Sequence, residues 1–207
     1  MAKSGKIYLY RMTHIENVPH LLAHGITHRA STRANANYVS IGDSSLISTR
    51  NDFLLDNGRR LGDYIPFYFG TRMPMLYVIQ KGFNDVPAQS AEQIVYCVSS
   101  VGKVREADVD FVFTDGHAVD TFSTQYTEQD VEQLPELLDF KAIKAKYWKD
   151  DNDLDLKRRK EAEFLVLGDL PVTAILGFIV YNEAAKTRLK AMGLPDQQIH
   201  IDDKAYF

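Results

Sequence analysis

A chain of 207 residues, 45% apolar and 25% charged, has material for one large buried core and too little for two, so a single domain over residues 1–207 is expected. Its 24 basic and 28 acidic residues leave a net charge of −4, which excludes an all-over positive coat and allows only local basic patches. Cys97 is the only cysteine, which rules out an intrachain disulfide. With no apolar leader after Met1 and no stretch long enough to span a bilayer, the expectation is a reducing, cytoplasmic location.

Residues 7–13, Ile-Tyr-Leu-Tyr-Arg-Met-Thr, are aromatic and β-branched and predict the first strand. Over 16–24 a short helix is expected, from the spacing of Ile15, Val18, Leu21 and Leu22, with Gly25 in the place of a C-terminal cap. His20 and His24 stand one turn apart, but the glutamate of a zinc-binding HExxH is missing and Gly25 ends the helix before His28. They read as polar helix-face histidines, and no metal is expected. Residues 27–38 form a polar loop long enough to cover a site.

Val39-Ser40-Ile41 reads as a short strand, and Asp43 as the N-cap of a brief helix over 44–51 that Arg50 closes. Residues 64–69, Tyr-Ile-Pro-Phe-Tyr-Phe, make an aromatic strand that Pro66 assigns to an edge or a bulge. Met75-Leu76-Tyr77-Val78-Ile79 reads as another strand, as does 94–100, where Cys97 is a small core residue. Phe111-Val112-Phe113 runs into the turn Thr114-Asp115-Gly116-His117. The acidic segment 127–150 predicts one or two helices, with Pro135 near a start. A strand over 174–181, a helix over 182–192 capped by Asn182, and a last strand over 198–201 complete the chain.

About seven strands with few, short helices favour an α+β fold with a central, mainly antiparallel and split sheet over a doubly wound one. Neither GxGxxG nor GxxxxGK[ST] occurs, so a Rossmann site and a P-loop are unsupported.

The stretch 157–167, Lys-Arg-Arg-Lys-Glu-Ala-Glu-Phe-Leu-Val-Leu, reads as a strand whose alternation turns Glu161, Glu163 and Leu165 to one face. A carboxylate beside the core has to find donors, a cation or a substrate. The cluster Lys157 to Lys160 would steer a phosphate backbone or cap a helix end.

Five blocks then stand in order: Tyr10-Arg11-Met12-Thr13-His14-Ile15-Glu16-Asn17, the aromatic strand after Asp63, Arg72-Met73-Pro74-Met75-Leu76-Tyr77, Phe113-Thr114-Asp115-Gly116-His117, and Ala162-Glu163-Phe164-Leu165-Val166. In this order the chain resembles the DarT-like toxins from Ile7 to about Tyr181. The resemblance implies an ADP-ribosyltransferase fold and the use of NAD⁺ to ADP-ribosylate nucleobases of single-stranded DNA, with RNA-modifying relatives. It also implies a macrodomain antitoxin that removes the mark.

Carried over, the resemblance places a catalytic carboxylate at Glu163 and a catalytic arginine at Arg50. It places NAD⁺ contacts at Arg11, Met12 and Thr13. By position, His20 and His28, which flank the polar loop, are candidates for the adenosine side, with polar helix-face or loop histidines as the other reading, and Arg72, Met75 and His117 are candidates for the acceptor. The chain departs from the family where Arg11 replaces a common histidine and Glu161 a common glutamine. The resulting Glu-x-Glu resembles the pair of arginine-modifying ADP-ribosyltransferases. Two other readings stay open: a nuclease gathering Mg²⁺ with Asp153, Asp155, Glu161 and Glu163, and a non-enzymatic nucleotide- or nucleic-acid-binding module.

Overall fold

The computed structural model describes residues 6–207; residues 1–5, on which the absence of a leader was read, lie outside them. Among the described residues eight strands form one open sheet: β1 Tyr8–His14, β2 Tyr64–Tyr68, β3 Ile94–Ser100, β4 Phe111–Thr114, β5 Gln125–Thr127, β6 Glu163–Leu167, β7 Gly177–Val180 and β8 Ile199–Ile201. Their spatial order is β5-β4-β6-β2-β1-β3-β7-β8, antiparallel throughout except for the parallel pair β7 and β8.

The sheet is split at its middle. β1 runs beside β3 from Tyr8↔Ser100 to His14↔Ile94, and β2 beside β6 from Tyr64↔Leu167 to Tyr68↔Glu163, while β1 and β2 pair only at Tyr10↔Tyr68. Two half-sheets therefore diverge from one contact, and the backbone groups facing the gap need other partners. Arg11 supplies one, its Nη1 donating to the Pro66 carbonyl at 3.0 Å. In an antiparallel ladder a residue's N–H and C=O face the same neighbour, so the missing N–H of Pro66 would also have faced the gap. Pro66 thus sits in the middle of the sheet rather than at its rim, and the edge it marks is an internal one.

Helices flank the sheet: α1 Val18–His24, α2 Ser44–Asp52, α3 Pro74–Lys81, α4 Val101–Glu106, α5 Leu134–Leu137, α6 Phe140–Lys144, α7 Leu156–Lys160 and α8 Glu183–Ala191. The expected caps form: Asp43 accepts from the N–H groups of Ser45 at 2.8 Å and Leu46 at 3.3 Å, and Asn182 from Ala185 at 3.0 Å.

Three expected strand segments are something else. Met75 to Ile79 lies inside α3, which starts with Pro74 and stops at Gly82 in the left-handed region at φ 71°, burying Leu76 and Ile79 three residues apart. The continuous apolar run hid that punctuation. Val39-Ser40-Ile41 forms no strand; the Asn17 amide takes both backbone groups of Val39, at 2.9 Å each, as a neighbouring strand would. Residues 157–160 belong to α7, and β6 begins only at Glu163, so Glu161 caps a helix and shares no strand face with Glu163. The three-residue β5 was not foreseen.

One face of the sheet packs Leu9, Val95, Cys97, Phe164 and Phe178 into the larger core, where Phe164 stacks on Phe111 at 4.6 Å. The other face packs Ile94 and Tyr96 against α3 and the last residues of the chain. There the Tyr206 hydroxyl lies between the carbonyls of Ile94, at 3.1 Å, and Ile179, at 3.0 Å, bridging β3 and β7. Tyr206→Phe removes a hydroxyl that reaches two strand carbonyls and should cost about 1–2 kcal/mol. A lower urea midpoint at unchanged m would register this, and an unshifted midpoint would show that the hydroxyl contributes nothing.

Candidate active site

Where the half-sheets part, a cavity of about 420 Å³ opens, within the size range of small-molecule sites. Arg11, Met12 and Thr13 of β1 and Pro66 and Tyr68 of β2 line its two sides, joined by His20, His28, Arg50 and Met75. Each residue expected to contact the cofactor therefore borders one space.

The loop after α1 forms the outer wall and is tied down at its root. Ile26 and Leu170 exchange backbone hydrogen bonds at 2.9 and 2.8 Å, and Gly25, at φ 80°, lets them approach, because a Cβ there would lie 2.2 Å from the Leu170 oxygen. Asp169, which sequence reasoning missed, accepts from the His28 N–H at 2.7 Å, the Ser31 hydroxyl at 2.7 Å and Arg33 Nη2 at 3.3 Å. Burial pushes its carboxyl up, but these donors outweigh that and hold it below its usual range. The available signal was the turn composition of Gly168-Asp169 after an apolar strand.

The His28 ring is engaged at both nitrogens: Nδ1 accepts from Ala30 N–H at 3.2 Å, so Nε2 carries the proton and donates to the Gly62 carbonyl at 2.9 Å. His20 Nε2 lies 3.0 Å from the Thr27 hydroxyl, and burial, then His24, lowers its pKa. The Thr13 hydroxyl accepts from Asn17 at 2.9 Å.

Arg50, from α2, lines the cavity and reaches past it to Glu163, the fully buried first residue of β6; Glu163 and His117 do not themselves line the cavity. Arg50 Nη1 donates to Oε1 at 3.1 Å, and the Ala118 N–H donates to the same oxygen at 3.0 Å. Nη2 and Oε2 approach to 2.9 Å but off the hydrogen-bonding direction, which leaves both atoms buried without a directed partner. Burial, the largest single influence, raises the Glu163 carboxyl, but the Arg50 charge, His117 and the hydrogen bonds from Arg50 and Ala118 together outweigh it, so the pKa is lowered and the residue is ionised. His117 Nε2 stands 3.9 Å from Oε1; burial lowers its pKa against the pull of Glu163, so near neutrality the ring is uncharged.

Glu161, 8% exposed, lies beyond this pair. Burial pushes its carboxyl up to about 7, opposed by Lys157 and helped by the Glu163 charge. Arg72 is engaged elsewhere: its N–H donates to the Tyr96 hydroxyl at 3.0 Å, its Nη1 to the Tyr206 carbonyl at 2.6 Å, and its guanidinium lies 4.2 Å from the centre of the Phe207 ring.

The four basic residues before Glu161 are mostly internal. Arg158 pairs with Asp115 and Asp155, Arg159 with Asp139, Asp153 and Asp155, and Lys160 donates to the carbonyls of Ile143 at 3.0 Å and Ala145 at 2.8 Å. Burial pushes the Lys160 ammonium down to about 8, and only Lys157 is exposed. Asp153 and Asp155 are thus committed to arginines, and among the described residues no three His, Cys, Asp or Glu side chains gather as metal ligands.

The raised Glu161 pKa has a stability consequence. From about pH 4.5 to about 7 the unfolded chain ionises Glu161 before the folded one does, so stability falls with rising pH and the whole cost is in place above about 7. Glu161→Gln should therefore be more stable than the parent by about 1–3 kcal/mol at about pH 8.5 and no more stable at about pH 4. Denaturant titrations at both values check this; an equal gain at both would remove the charge as its cause.

A family described as "ssDNA thymidine ADP-ribosyltransferase, DarT" matches residues 10–207. A DNA ADP-ribosyl transferase of Escherichia coli O127:H6 is 32% identical over 188 residues, which cover 89% of this chain and 85% of that protein. DarT of Thermus sp. 2.9, solved in complex with ADP-ribosylated single-stranded DNA, superposes with a TM-score of 0.83 at 30% identity, covering 97% of this chain and 96% of that one. Its structure in complex with NAD⁺ gives 0.79, also at 30% identity, with coverage of 97% and 98%. A Thermosipho africanus protein that fuses a DNA ADP-ribosyl transferase to a DNA ADP-ribosyl glycohydrolase is 30% identical over 160 residues, 76% of this chain and 38% of that protein. The split sheet is thus an ADP-ribosyltransferase-like fold, and the chain belongs to the DarT family of single-stranded-DNA ADP-ribosyltransferases.

Proposed function

We propose that this protein transfers ADP-ribose from NAD⁺ to a nucleobase of single-stranded DNA, thymidine being the base named for the family, and releases nicotinamide. The bond from the ribose C1′ to nicotinamide breaks, its electron pair leaving with nicotinamide. A base nitrogen then bonds to C1′ and loses its proton. Positive charge develops on the ribose in between, as in glycoside cleavage.

The observation that carries this reading is the buried Arg50–Glu163 pair with one carboxylate oxygen lacking a directed donor, joined through Arg50 to the cavity that β1 also lines. Glu163 Oε2 has a lone pair for the ribose 2′-hydroxyl and a full charge for the developing cation. The same carboxylate receives the proton of the base nitrogen. Arg50 holds the pyrophosphate or polarises the acceptor base. Arg11, Met12 and Thr13 present β1 to the dinucleotide, while His20 and the His28 loop wall the adenosine side. His117 and Met75 border the acceptor, and Arg72 fixes the neighbouring loop against the chain end.

The protein acts as a toxin in the cytoplasm, where its single thiol stays reduced. Its partner is a macrodomain-type antitoxin that hydrolyses the mark, a pairing supported by the relative in which transferase and glycohydrolase are one chain.

Incubation of the chain with NAD⁺ and single-stranded DNA or RNA oligonucleotides, followed by mass spectrometry, tests this. An ADP-ribose adduct is expected on the DNA and absent from an oligonucleotide without thymine. Glu163→Gln should lower its rate by at least about 10²-fold, since it removes the charge aimed at the transition state. Arg50→Lys keeps a cation but loses the planar fork and should cost about tenfold or more. Full activity of the Glu163 variant would sink the assignment, and an adduct confined to RNA would sink the choice of acceptor.

A further inference from the structure

Within the basic cluster, Arg158 is oriented unlike a residue that waits for a phosphate. Only 13% of its side chain is exposed, and it makes four hydrogen bonds, two to the half-exposed Asp155 and two part-buried ones to Asp115 and Ser123. Its Nε and Nη2 grip the Asp155 carboxylate at 2.7 and 2.9 Å, while Nη1 donates to Asp115 at 2.9 Å and to the Ser123 hydroxyl at 3.3 Å. The Ser123 hydroxyl donates to the His117 carbonyl at 2.8 Å, and the His117 N–H donates to the Arg158 carbonyl at 3.1 Å. Gly116 fits between these groups because it has no side chain; a Cβ there would lie 2.5 Å from Arg158 Nη1 and 2.7 Å from Ser123 Oγ.

The segment so fixed is the one that touches the carboxylate. Thr114 Oγ1 donates to the Gly116 carbonyl at 2.6 Å and accepts the Glu163 N–H at 3.3 Å; two residues after Gly116, the Ala118 N–H donates to Glu163 Oε1. We propose that Arg158 is a positioning residue, which acts through the Asp115–Ala118 turn to aim the Ala118 N–H and the His117 ring at Glu163, rather than a contact for the nucleic-acid backbone. The inference rests on the proposed role of Glu163. A guanidinium can fill this place and an ammonium cannot, since three acceptors in two directions must be served by one planar fork.

Arg158→Gln and the milder Asp115→Asn test it, with two readouts. The first is kinetic: kcat for adduct formation should fall by about 100-fold, as expected when a group near the reacting atoms is displaced by about 1 Å, with KM for NAD⁺ and DNA within about threefold. The acid limb of the pH profile should move to higher pH. Of the groups that face Glu163, Arg50 on α2, the neutral His117, Tyr68 on β2 and Glu161 after α7 remain, while the Ala118 donor is misplaced.

The second readout is the Ala118 amide in an ¹H–¹⁵N NMR spectrum, which should move upfield and exchange faster with solvent as its bond to the carboxylate weakens. It reports with or without turnover. A parent chain that forms no adduct would refute the functional reading and leave this resonance to decide the brace. An unmoved Ala118 resonance would overturn the proposal. So would unchanged kcat with a raised KM for DNA and a shallower salt dependence, the signature of a phosphate contact. If Arg158→Gln does not fold, Asp115→Asn, which keeps the shape of the turn, is judged by the same criteria.

Discussion

A carboxylate with no solvent exposure, ionised beside a guanidinium, is the constraint around which this chain is arranged. Desolvating two charges costs several kcal/mol each and their attraction only roughly repays it, so such a pair is a weak source of stability; removing one partner would cost about 3–5 kcal/mol because the other is left stranded. The fold therefore supplies extra support around Glu163. The strand brings its backbone, the Ala118 N–H brings a donor that burial cannot weaken, and α2 delivers Arg50 from 113 positions earlier in the chain. What results is a fixed negative charge with one oxygen unspent, the state a site needs if it is to stabilise a cation without reorganising.

The same requirement accounts for the gap in the sheet. A continuous ladder between β1 and β2 would fill with backbone the cavity that Arg50 lines; a ladder reduced to Tyr10↔Tyr68 keeps two half-sheets while freeing their facing edges. The surrounding polar groups are then committed to the walls. Asp169 and His28 hold the outer loop, and Asn17 stands in for a strand beside Val39. The cavity is lined by side chains that are themselves held by second partners, which lets a site sit on irregular chain without being loose.

Much of this was legible in the sequence because it depends on local rules. Caps at Asp43 and Asn182, the stop at Gly25, the strands 7–13, 64–69 and 94–100 and the α+β class follow from patterns a few residues long. Arg50 and Glu163 could be paired only through the order of the five blocks, since nothing local links positions so far apart. The failures share a cause as well. An unbroken apolar run does not reveal its period, so α3 passed for a strand, and a run of like charges does not reveal its partners: Lys157 to Lys160 do stand in the last turn of a helix, as one expectation had it, but the aspartates that hold Arg158 and Arg159 were not foreseen. Asp169 escaped because its importance lies in chain brought from 138 to 141 positions away.

An opened sheet exposes two interior rows of unpaired N–H and C=O groups, and such rows are templates that a stray extended segment, from this chain or another, would complete. Pro66 presents no donor at that row, and its carbonyl is already occupied by Arg11. At this one position the crevice therefore offers an added strand neither a donor nor a free acceptor, while the space itself stays accessible.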